Sequence, residues 1–277
     1  MTDLMTNVAR FPTRVTRYLL RKATRSSIRN EAARLTRESG LEPRYAEEAS
    51  FWSTELAKLG YHTDAILERS IPDRMHACFP DVLDSLIDDV RRRTGQVPKV
   101  ADVGSGPLSQ LAHGAEIRRI DLTAIDPLGD VYLKLLRKYR YRIGYPFVAS
   151  TGEDLTKAFP AATFDIVWMR NALDHATDPA LVFRNLVSIL KPSGYLVLGL
   201  FSREGTAEHF HGLHRNDMYL DGESRLMLQQ AEEGGTVLGP PADVAAGLPI
   251  EVVQSTGPTP GVKEWIQIVW KKSSTTG

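Results

Sequence analysis

The chain has almost no cysteine, no imbalance of charge and no long apolar run. Its 277 residues include a single cysteine, so no disulfide can form within the chain, as expected in a reducing compartment. The 34 basic and 34 acidic residues cancel, which excludes a protein-wide positive field for nucleic acid. No apolar stretch approaches the roughly 18 residues needed to cross a bilayer. These absences predict a cytoplasmic globular protein, and 42% hydrophobic residues suffice for a full core.

Positive charge is nevertheless concentrated at the start of the chain. A helix is expected from near Pro12, because five arginines recur there at helical spacing: Arg10, Arg14, Arg17, Arg21 and Arg25. A solvated helix face explains such a stripe, and peripheral contact with an anionic membrane surface or an acidic partner is the alternative.

Two more helices are predicted before residue 95, at 45–59 and 80–94, because each segment places its apolar residues on one face. Phe51 and Trp52 in the first of them either pack in the core or line a substrate pocket. We therefore expect residues 1–95 to form an N-terminal helical extension or cap on a domain of residues 96–277.

The most informative stretch is residues 101–108, ADVGSGPL, which follows an apolar run typical of a strand buried on both faces. Gly104 and Gly106 allow a sharp turn and a close approach of the backbone to a ligand. A helix is expected from Leu108, and its free N–H groups would favour an anionic group. The pattern predicts a strand, a glycine turn and a helix around a nucleotide-like ligand.

Two aspartates narrow the choice of ligand. Asp102 precedes the turn, and its carboxylate would repel a pyrophosphate but attract an ammonium or sulfonium. Asp126 ends the next predicted strand, about twenty residues beyond Gly106, where a carboxylate can accept both hydroxyls of a ribose. A nicotinamide oxidoreductase would share Asp126 and the glycines. Asp102 and the serine at position 109, where the dinucleotide fingerprint has a third glycine, argue against that class.

Alternating strand and helix patterns continue to the end of the chain. Strands are predicted at 145–150, 164–169 and 195–201, with a helix at 180–190 that Asp178 caps and Pro179 begins. Residues 234–247 are rich in Gly, Pro and Ala and predict an exposed connection. Two final strands are expected at 250–254 and 264–271.

From about Val100 to Phe201 the chain resembles the class I S-adenosylmethionine-dependent methyltransferases. The glycine turn, the acid after the second strand, the Gly-Glu-Asp-Leu segment, the Phe-Asp-Ile-Val strand and the Leu-Lys-Pro-Ser-Gly turn follow one another in family order. The resemblance implies an α/β fold, a Rossmann-like doubly wound seven-stranded sheet with an antiparallel C-terminal hairpin. It also implies S-adenosyl-L-methionine as cofactor.

The same resemblance assigns the cofactor residues. Those around the methionine part and the ribose would be Asp102, Gly104, Ser105, Gly106, Asp126 and Pro127. Gly152 and Glu153 would lie near the adenine, and Asn171 near the methionine end.

The segment 202–217 follows a central strand and holds three of the seven histidines. It resembles a methyltransferase subgroup in which Tyr-x-Gly-Leu-His-Gln-Trp follows the fifth strand and Arg-Asn-Ala-Leu-Asp-His the fourth, although Phe210 replaces the tyrosine and Arg215 the glutamine. Members of that subgroup act on saccharides or polar natural products. This closer likeness implies O-methylation of a hydroxyl on a saccharide or glycosylated metabolite, with a small molecule or an oligosaccharide as acceptor.

Removal of the hydroxyl proton requires a base, and a histidine that titrates near neutrality suits the task. His175 is the first candidate, with Asp174 orienting it or contacting the acceptor, and His211 and His214 come next. A structural His175 that caps its turn is the alternative.

The metal requirement stays open at this point. The spacing His209-x-His211-x-x-His214 could bind a transition metal, and Asp174, Glu204 or Asp217 could bind Mg²⁺. An N- or C-methyltransferase, a methyltransferase-like binding protein without catalysis, and a homo-oligomer also remain open.

Overall fold

The computed structural model describes residues 14–60, 81–232, 234–256 and 263–274. Its helices are α1 (Arg14–Glu38), α2 (Tyr45–Gly60), α3 (Asp81–Thr94), α4 (Ala112–Glu116), α5 (Gly129–Lys138), α6 (Leu155–Ala158), α7 (Pro179–Ile189) and α8 (Glu204–Ala207), with a 3₁₀ turn at Leu173–His175. Its strands are β1 (Lys99–Val103), β2 (Asp121–Asp126), β3 (Phe147–Ala149), β4 (Phe164–Arg170), β5 (Leu190–Phe201), β6 (Asn216–Leu220), β7 (Leu226–Glu232), β8 (Thr236–Val237), β9 (Ala242–Asp243), β10 (Ile250–Ser255) and β11 (Trp265–Lys271).

Seven strands form the main sheet in the order β10-β11-β5-β4-β1-β2-β3. The five strands from β5 to β3 run parallel, and β11 pairs antiparallel with both β5 and β10. The chain passes from β1 to β2 on one side and later returns to β4 on the other, so the strand order reverses at β1. The architecture confirms the predicted Rossmann-like doubly wound fold with an antiparallel C-terminal hairpin.

Local signals explain several element boundaries. After its first residue β1 is buried throughout, which accounts for its continuous apolar run. The helix α7 begins as predicted, because the Asp178 carboxylate accepts a hydrogen bond from the N–H of Leu181 at 2.9 Å and Pro179 occupies the first turn.

The helix expected from Leu108 begins only at Ala112 and has five residues. The Oγ atom of Ser109 accepts a hydrogen bond from the N–H of Leu111 at 3.0 Å and so offers the backbone an alternative to the helical pattern. The third strand is also shorter than predicted, at Phe147–Ala149, and the fifth starts earlier, at Leu190 directly after α7.

A second, four-stranded sheet follows β5, with the order β6-β7-β8 and with β9 paired to β7. The predicted exposed connection at 234–247 contributes the two short strands β8 and β9 to this sheet. Many of its side chains are exposed as expected, but Ala245 is buried in the main core. Two-residue strands held by backbone pairing leave no apolar alternation from which to predict them.

The N-terminal helices pack beside the main sheet. Ala32 and Leu35 of α1, Ala49 and Leu56 of α2, and Leu135 of α5 share one buried cluster. The helix predicted near Pro12 is α1, which begins at Arg14. Arg10 and the single cysteine, Cys78, lie outside the described residues.

The helices of the described ranges were compared with the length and hydropathy of a membrane span. Not one of them is both long enough and apolar enough to cross a bilayer.

Candidate functional site

A cavity of about 580 Å³ opens at the carboxyl ends of β1, β2, β4 and β5. Open α/β sheets bind their ligands at this edge, where the strand order reverses. Helix α2 contributes Tyr45, Trp52 and Leu56 to the lining of the cavity. Phe51 of the same helix also lines it and is half-exposed to solvent. Phe51 and Trp52 thus both line the cavity, and Trp52 also packs against the buried cluster of α1, α2 and α5.

The glycine turn forms one wall of this cavity. Gly104 and Gly106 have φ values of +71° and +62°, a conformation that side chains with a β-carbon rarely adopt. A β-carbon at Gly104 would collide with the side chain of Ala172, and one at Gly106 would lie 3.4 Å from the indole of Trp52. The turn therefore favours glycine at both positions for its backbone, and at Gly104 also for lack of space.

Asp126 ties the turn to the end of β2. Its Oδ2 accepts a hydrogen bond from the N–H of Gly106 at 3.0 Å, and its Oδ1 accepts one from the N–H of Leu128 at 2.9 Å. Burial raises the pKa of Asp126 to about 7, while the two backbone donors act in the opposite direction. Further donors, such as the two hydroxyls of a ribose, would favour the charged carboxylate in the same way.

Asp102 departs from the expectation that it faces the ligand. Its carboxylate is buried behind the turn, where Oδ2 accepts a hydrogen bond from the hydroxyl of Ser109 at 2.5 Å, and the residue is not among those that line the cavity. Burial raises the pKa of Asp102 to about 6. The assignment of this side chain to cofactor contact is corrected, because its hydrogen bond directs it into the protein.

Gly152 and Glu153 line the cavity next to Asp126. The carboxylate of Glu153 accepts hydrogen bonds from the N–H groups of Thr177 at 2.8 Å and Asp178 at 3.2 Å. Asn185 was not identified from the sequence, yet its amide donates to the carbonyl oxygens of Gly152 and Glu153 at 3.1 and 2.7 Å. A polar residue on the buried face of an apolar helix was the signal available for it.

Asn171 holds a strained position after β4, with φ of +48°. Its N–H donates to the carbonyl oxygen of Gly199 at 2.7 Å, which fixes this conformation. Its Oδ1 atom is buried and has no hydrogen-bond partner among the described residues, and the residue lines the cavity. A buried acceptor of this kind is costly unless a ligand supplies a donor.

Beyond Asn171 the 3₁₀ turn and the loop before β6 bring Asp174, His175 and His214 together. The Nδ1 atom of His214 lies 2.7 Å from Oδ2 of Asp174 and 3.3 Å from Nε2 of His175, and the same Oδ2 lies 3.5 Å from that Nε2. Asp174 is buried, whereas both histidines line the cavity. We call this group the Asp174–His175–His214 cluster.

Electrostatics within the cluster differ from the sequence interpretation. The closest partner of Asp174 is His214 and not His175. Burial acts to lower the pKa of His214, but the hydrogen bond and charge of Asp174, with Glu204 and Glu208, raise it above its ordinary value.

The other candidates in the 202–217 segment lie elsewhere. The side chain of His211 is 71% exposed and is not among the cavity-lining residues, so the structure separates it from His175 and His214. Asp217 is buried and accepts hydrogen bonds from the backbone and hydroxyl of Thr206. The histidine spacing 209, 211, 214 therefore does not define the cluster that the structure forms.

Glu204 and Arg170 are cavity residues that the sequence did not single out for acceptor binding. Oε1 of Glu204 accepts a hydrogen bond from Nζ of Lys263 at 2.9 Å, while its buried Oε2 has no partner within the described ranges. Arg170 stacks on Trp265, with 4.7 Å from the guanidinium carbon to the ring centroid, and also binds Gln110. A carboxylate, a guanidinium and an indole thus line the same cavity.

Comparison with known proteins finds similarity over one continuous segment of the sequence. Residues 101–198 match the family model described as a methyltransferase domain. A ubiquinone biosynthesis O-methyltransferase from Chromobacterium violaceum is 32% identical over 111 residues, which cover 39% of this chain and 47% of that protein. The corresponding protein from Photorhabdus laumondii is 29% identical over 122 residues, 43% of this chain and 50% of that protein. Residues 101–198 are therefore similar to a methyltransferase domain.

The chain spans about half the length of the curated relatives it matches. Among solved structures, a 1,6-didemethyltoxoflavin-N1-methyltransferase from Burkholderia thailandensis is similar with a TM-score of 0.43 and 17% identity, covering 82% of this chain and 89% of its own. An N-methyltransferase from Bradyrhizobium japonicum has a TM-score of 0.45 and 14% identity, covering 79% and 97%.

Proposed function

We propose that this protein is an O-methyltransferase that transfers the methyl group of S-adenosylmethionine to a hydroxyl of a small-molecule acceptor. One observation carries the proposal: a single cavity is lined both by the glycine turn with Asp126 and by His175 and His214. Methyl transfer needs the donor and the acceptor in one water-restricted space, with the nucleophile in line with the sulfur–methyl bond.

The cofactor occupies the half of the cavity next to β1 and β2. Asp126 accepts the ribose hydroxyls, and Gly152 and Glu153 lie along the adenine. The free Oδ1 of Asn171 accepts from the ammonium of the methionine part, which is the donor that this buried atom lacks within the described chain. Gly104, Ser105, Gly106 and Pro127 complete the wall by backbone and van der Waals contact.

The acceptor occupies the half next to β4, β5 and the loop before β6. A hydroxyl becomes a competent nucleophile as its proton is removed, and a neighbouring imidazole contributes typically 10²- to 10⁴-fold to such a step. His175 is the first candidate for this base, and its Nε2 atom lies beside His214 and Asp174. The distances within the cluster hold these groups in one place without the acceptor.

A saccharide or glycosylated metabolite is the acceptor we favour. The partnerless Oε2 of Glu204 is suited to accept from a second hydroxyl, and Arg170 can donate to a ring or hydroxyl oxygen. A phenolic acceptor is the second candidate, because Phe201 and Trp265 form an edge-to-face pair with 5.0 Å between ring centroids on the cavity wall. The name of these relatives, ubiquinone biosynthesis O-methyltransferase, also favours this second class.

We also propose that residues 1–95 act as a helical extension over the domain of residues 96–277. The contribution of Tyr45, Trp52 and Leu56 to the cavity supports this division.

The test begins with calorimetric titration of the full chain with S-adenosylmethionine and, separately, with NADH. Binding of the methyl donor alone supports the proposal, and binding of NADH instead would replace it with an oxidoreductase. Panels of saccharides and phenols are then incubated with donor labelled in its methyl group. Product NMR identifies the methylated atom, so an N- or C-linked methyl would contradict O-methylation.

A further inference from the structure

The ligand atoms of the Asp174–His175–His214 cluster have a spacing that hydrogen bonding alone does not explain well. Three atoms that each offer a lone pair form a triangle with sides of 2.7, 3.3 and 3.5 Å. The Nδ1 atom of His214 carries at most one proton, yet it faces both the carboxylate and the other imidazole. One proton cannot make two good hydrogen bonds in different directions.

A single cation at the centre would satisfy all three atoms. With ligand bonds of about 2.05 Å, neighbouring ligand atoms lie about 3.3 Å apart around a tetrahedral centre and about 2.9 Å apart around an octahedral one. The observed sides bracket these two values. The two imidazole rings meet nearly edge to face, at 76°, so that their nitrogens converge without stacking.

We propose that Asp174, His175 and His214 bind one transition-metal cation, of the zinc, cobalt or iron(II) class, on the acceptor side of the cavity. Two imidazoles and one carboxylate favour this class over Mg²⁺, which prefers a shell of oxygen atoms. Among the described residues, this is the group of three such side chains whose ligand atoms all lie within 4.8 Å of one another.

The surrounding chain holds the three ligands in place. The amide of Asn216 donates to the carbonyl oxygens of Asp174 and Ala176, each at 2.8 Å, so that β6 clamps the 3₁₀ turn that carries two of the ligands. The N–H of Arg215, next to the third ligand, donates to the Asp174 carbonyl oxygen at 3.1 Å. Such fixed positions lower the cost of assembling a metal site.

The carboxylate of Glu204 and the opening of the cluster to the cavity also suit a bound cation. Glu204 lines the same cavity, and its buried Oε2 has no partner in the described part of the chain. The two histidines reach the cavity from its wall, so a bound cation would keep at least one coordination position open toward the acceptor.

This inference rests on the proposed function and gives His175 the role of a metal ligand in place of the base. In the metal-bound protein the His175 nitrogen is occupied, and the cation instead lowers the pKa of a hydroxyl bound to it. The O–H bond breaks and its proton leaves to solvent, an oxygen–methyl bond forms and the sulfur–methyl bond breaks, releasing S-adenosylhomocysteine. The acceptor would then carry a hydroxyl able to ligate a metal, preferably beside a second oxygen.

The experiment uses the full chain without a histidine tag, stripped with EDTA and titrated with Co²⁺, whose visible absorption reports coordination by nitrogen and oxygen. We expect one equivalent to bind with a ligand-field spectrum, and Zn²⁺ to displace it. His175→Ala and His214→Ala should each lose the spectrum. The matched control is the double variant His209→Ala/His211→Ala, which removes the other two histidines of the same segment and should keep it.

Each outcome decides the proposal. The proposal is overturned if the wild type shows no Co²⁺ spectrum or if both cluster variants keep it unchanged. It is also overturned if the control double variant loses the spectrum, because the metal would then bind to the histidines at 209, 211 and 214. Thermal unfolding shows whether a cluster variant is folded, and Asp174→Asn is the second variant if an alanine variant is not. Calorimetry with S-adenosylmethionine in EDTA tests the methyltransferase proposal separately, so the two can fail independently.

Discussion

The hydroxyl of Ser109 donates a hydrogen bond to the Asp102 carboxylate at 2.5 Å, and both residues are buried. This pair explains why a serine stands where the dinucleotide fingerprint has its third glycine. The serine supplies the donor that a buried carboxylate needs, and it fixes the end of the glycine turn through its bond to the N–H of Leu111.

Ser109→Ala should therefore destabilise the protein in a pH-dependent way. The variant leaves the Asp102 carboxylate without this donor, so we expect the free energy of unfolding to fall by about 2 kcal/mol at pH 8. The loss should be smaller at pH 4, where Asp102, with a pKa of about 6, is protonated. Urea unfolding of the variant and the wild type at both pH values measures this loss in the free energy of unfolding. Ser85→Ala removes an exposed hydroxyl on α3 and should be nearly neutral, and an equal loss at both pH values would contradict the account.

Asp102→Asn should change how stability depends on pH. The folded-state pKa of Asp102 is raised from 3.8 to about 6, so its contribution to stability is fully present below pH 4 and is lost as the pH rises through 6. The amide does not titrate, and the variant should gain up to about 3 kcal/mol relative to the wild type between pH 4 and pH 8. Parallel urea curves across this range test the sign, and a stability of the variant that falls relative to the wild type as the pH rises would refute it.

Because the carboxylate of Asp102 lies behind the turn, the same variant should still bind S-adenosylmethionine. Calorimetry at pH 8 measures this, and complete loss of binding in a folded variant would return Asp102 to direct cofactor contact.

Asp126→Asn should weaken cofactor binding. Each carboxylate oxygen of Asp126 accepts one backbone hydrogen bond, whereas asparagine has a single acceptor oxygen. The variant therefore loses one or two charge-assisted hydrogen bonds. We expect its affinity for S-adenosylmethionine to fall by about 10- to 100-fold. Asp121→Asn is the matched control, because Asp121 is an exposed aspartate at the other end of the same strand. Equal affinities for the two variants would remove Asp126 from the cofactor site.

Gly152→Ala should destabilise the cavity wall. A β-carbon at this position would lie 2.6 Å from a side-chain carbon of Val182, which must move and disturb the packing of α7. Overpacking of this kind costs about 1–3 kcal/mol, and the loop that carries Glu153 would shift with it. Gly144→Ala, where a β-carbon meets nothing within 4 Å, is the control. Thermal unfolding of both variants measures the difference, and equal midpoints would contradict the prediction.

The sequence predicted those parts of the molecule that depend on local pattern. The buried strands β1 and β4, the start of α7 at Asp178 and Pro179, and the positions of Gly104 and Asp126 follow from apolar periodicity and turn chemistry over a few residues. The doubly wound sheet itself was predicted from the resemblance to class I S-adenosylmethionine-dependent methyltransferases, in which these motifs follow one another in the same order.

The parts that were wrong or missed depend on contacts between distant residues. The direction of Asp102 is set by a serine seven positions away and by burial, neither of which a strand pattern reports. His214 and Asp174 are 40 positions apart, and α7, β5 and α8 lie between them in the sequence. Asn185 acts through the backbone of a loop 32 residues earlier, and no short motif records such a contact.

The second sheet has a consequence for how this protein could diversify. Glu204, His214 and the strands β6 to β9 belong to one continuous stretch of chain that leaves β5 and returns at β10, whereas the glycine turn and Asp126 lie earlier in the sequence. On the proposed function, Glu204 and His214 of the acceptor site are therefore encoded after β5, whereas Arg170, Asp174 and His175 are encoded before it, beside the cofactor residue Asn171. Exchange of the stretch from β6 to β9 would therefore reshape one wall of the acceptor site while the cofactor residues stayed in place.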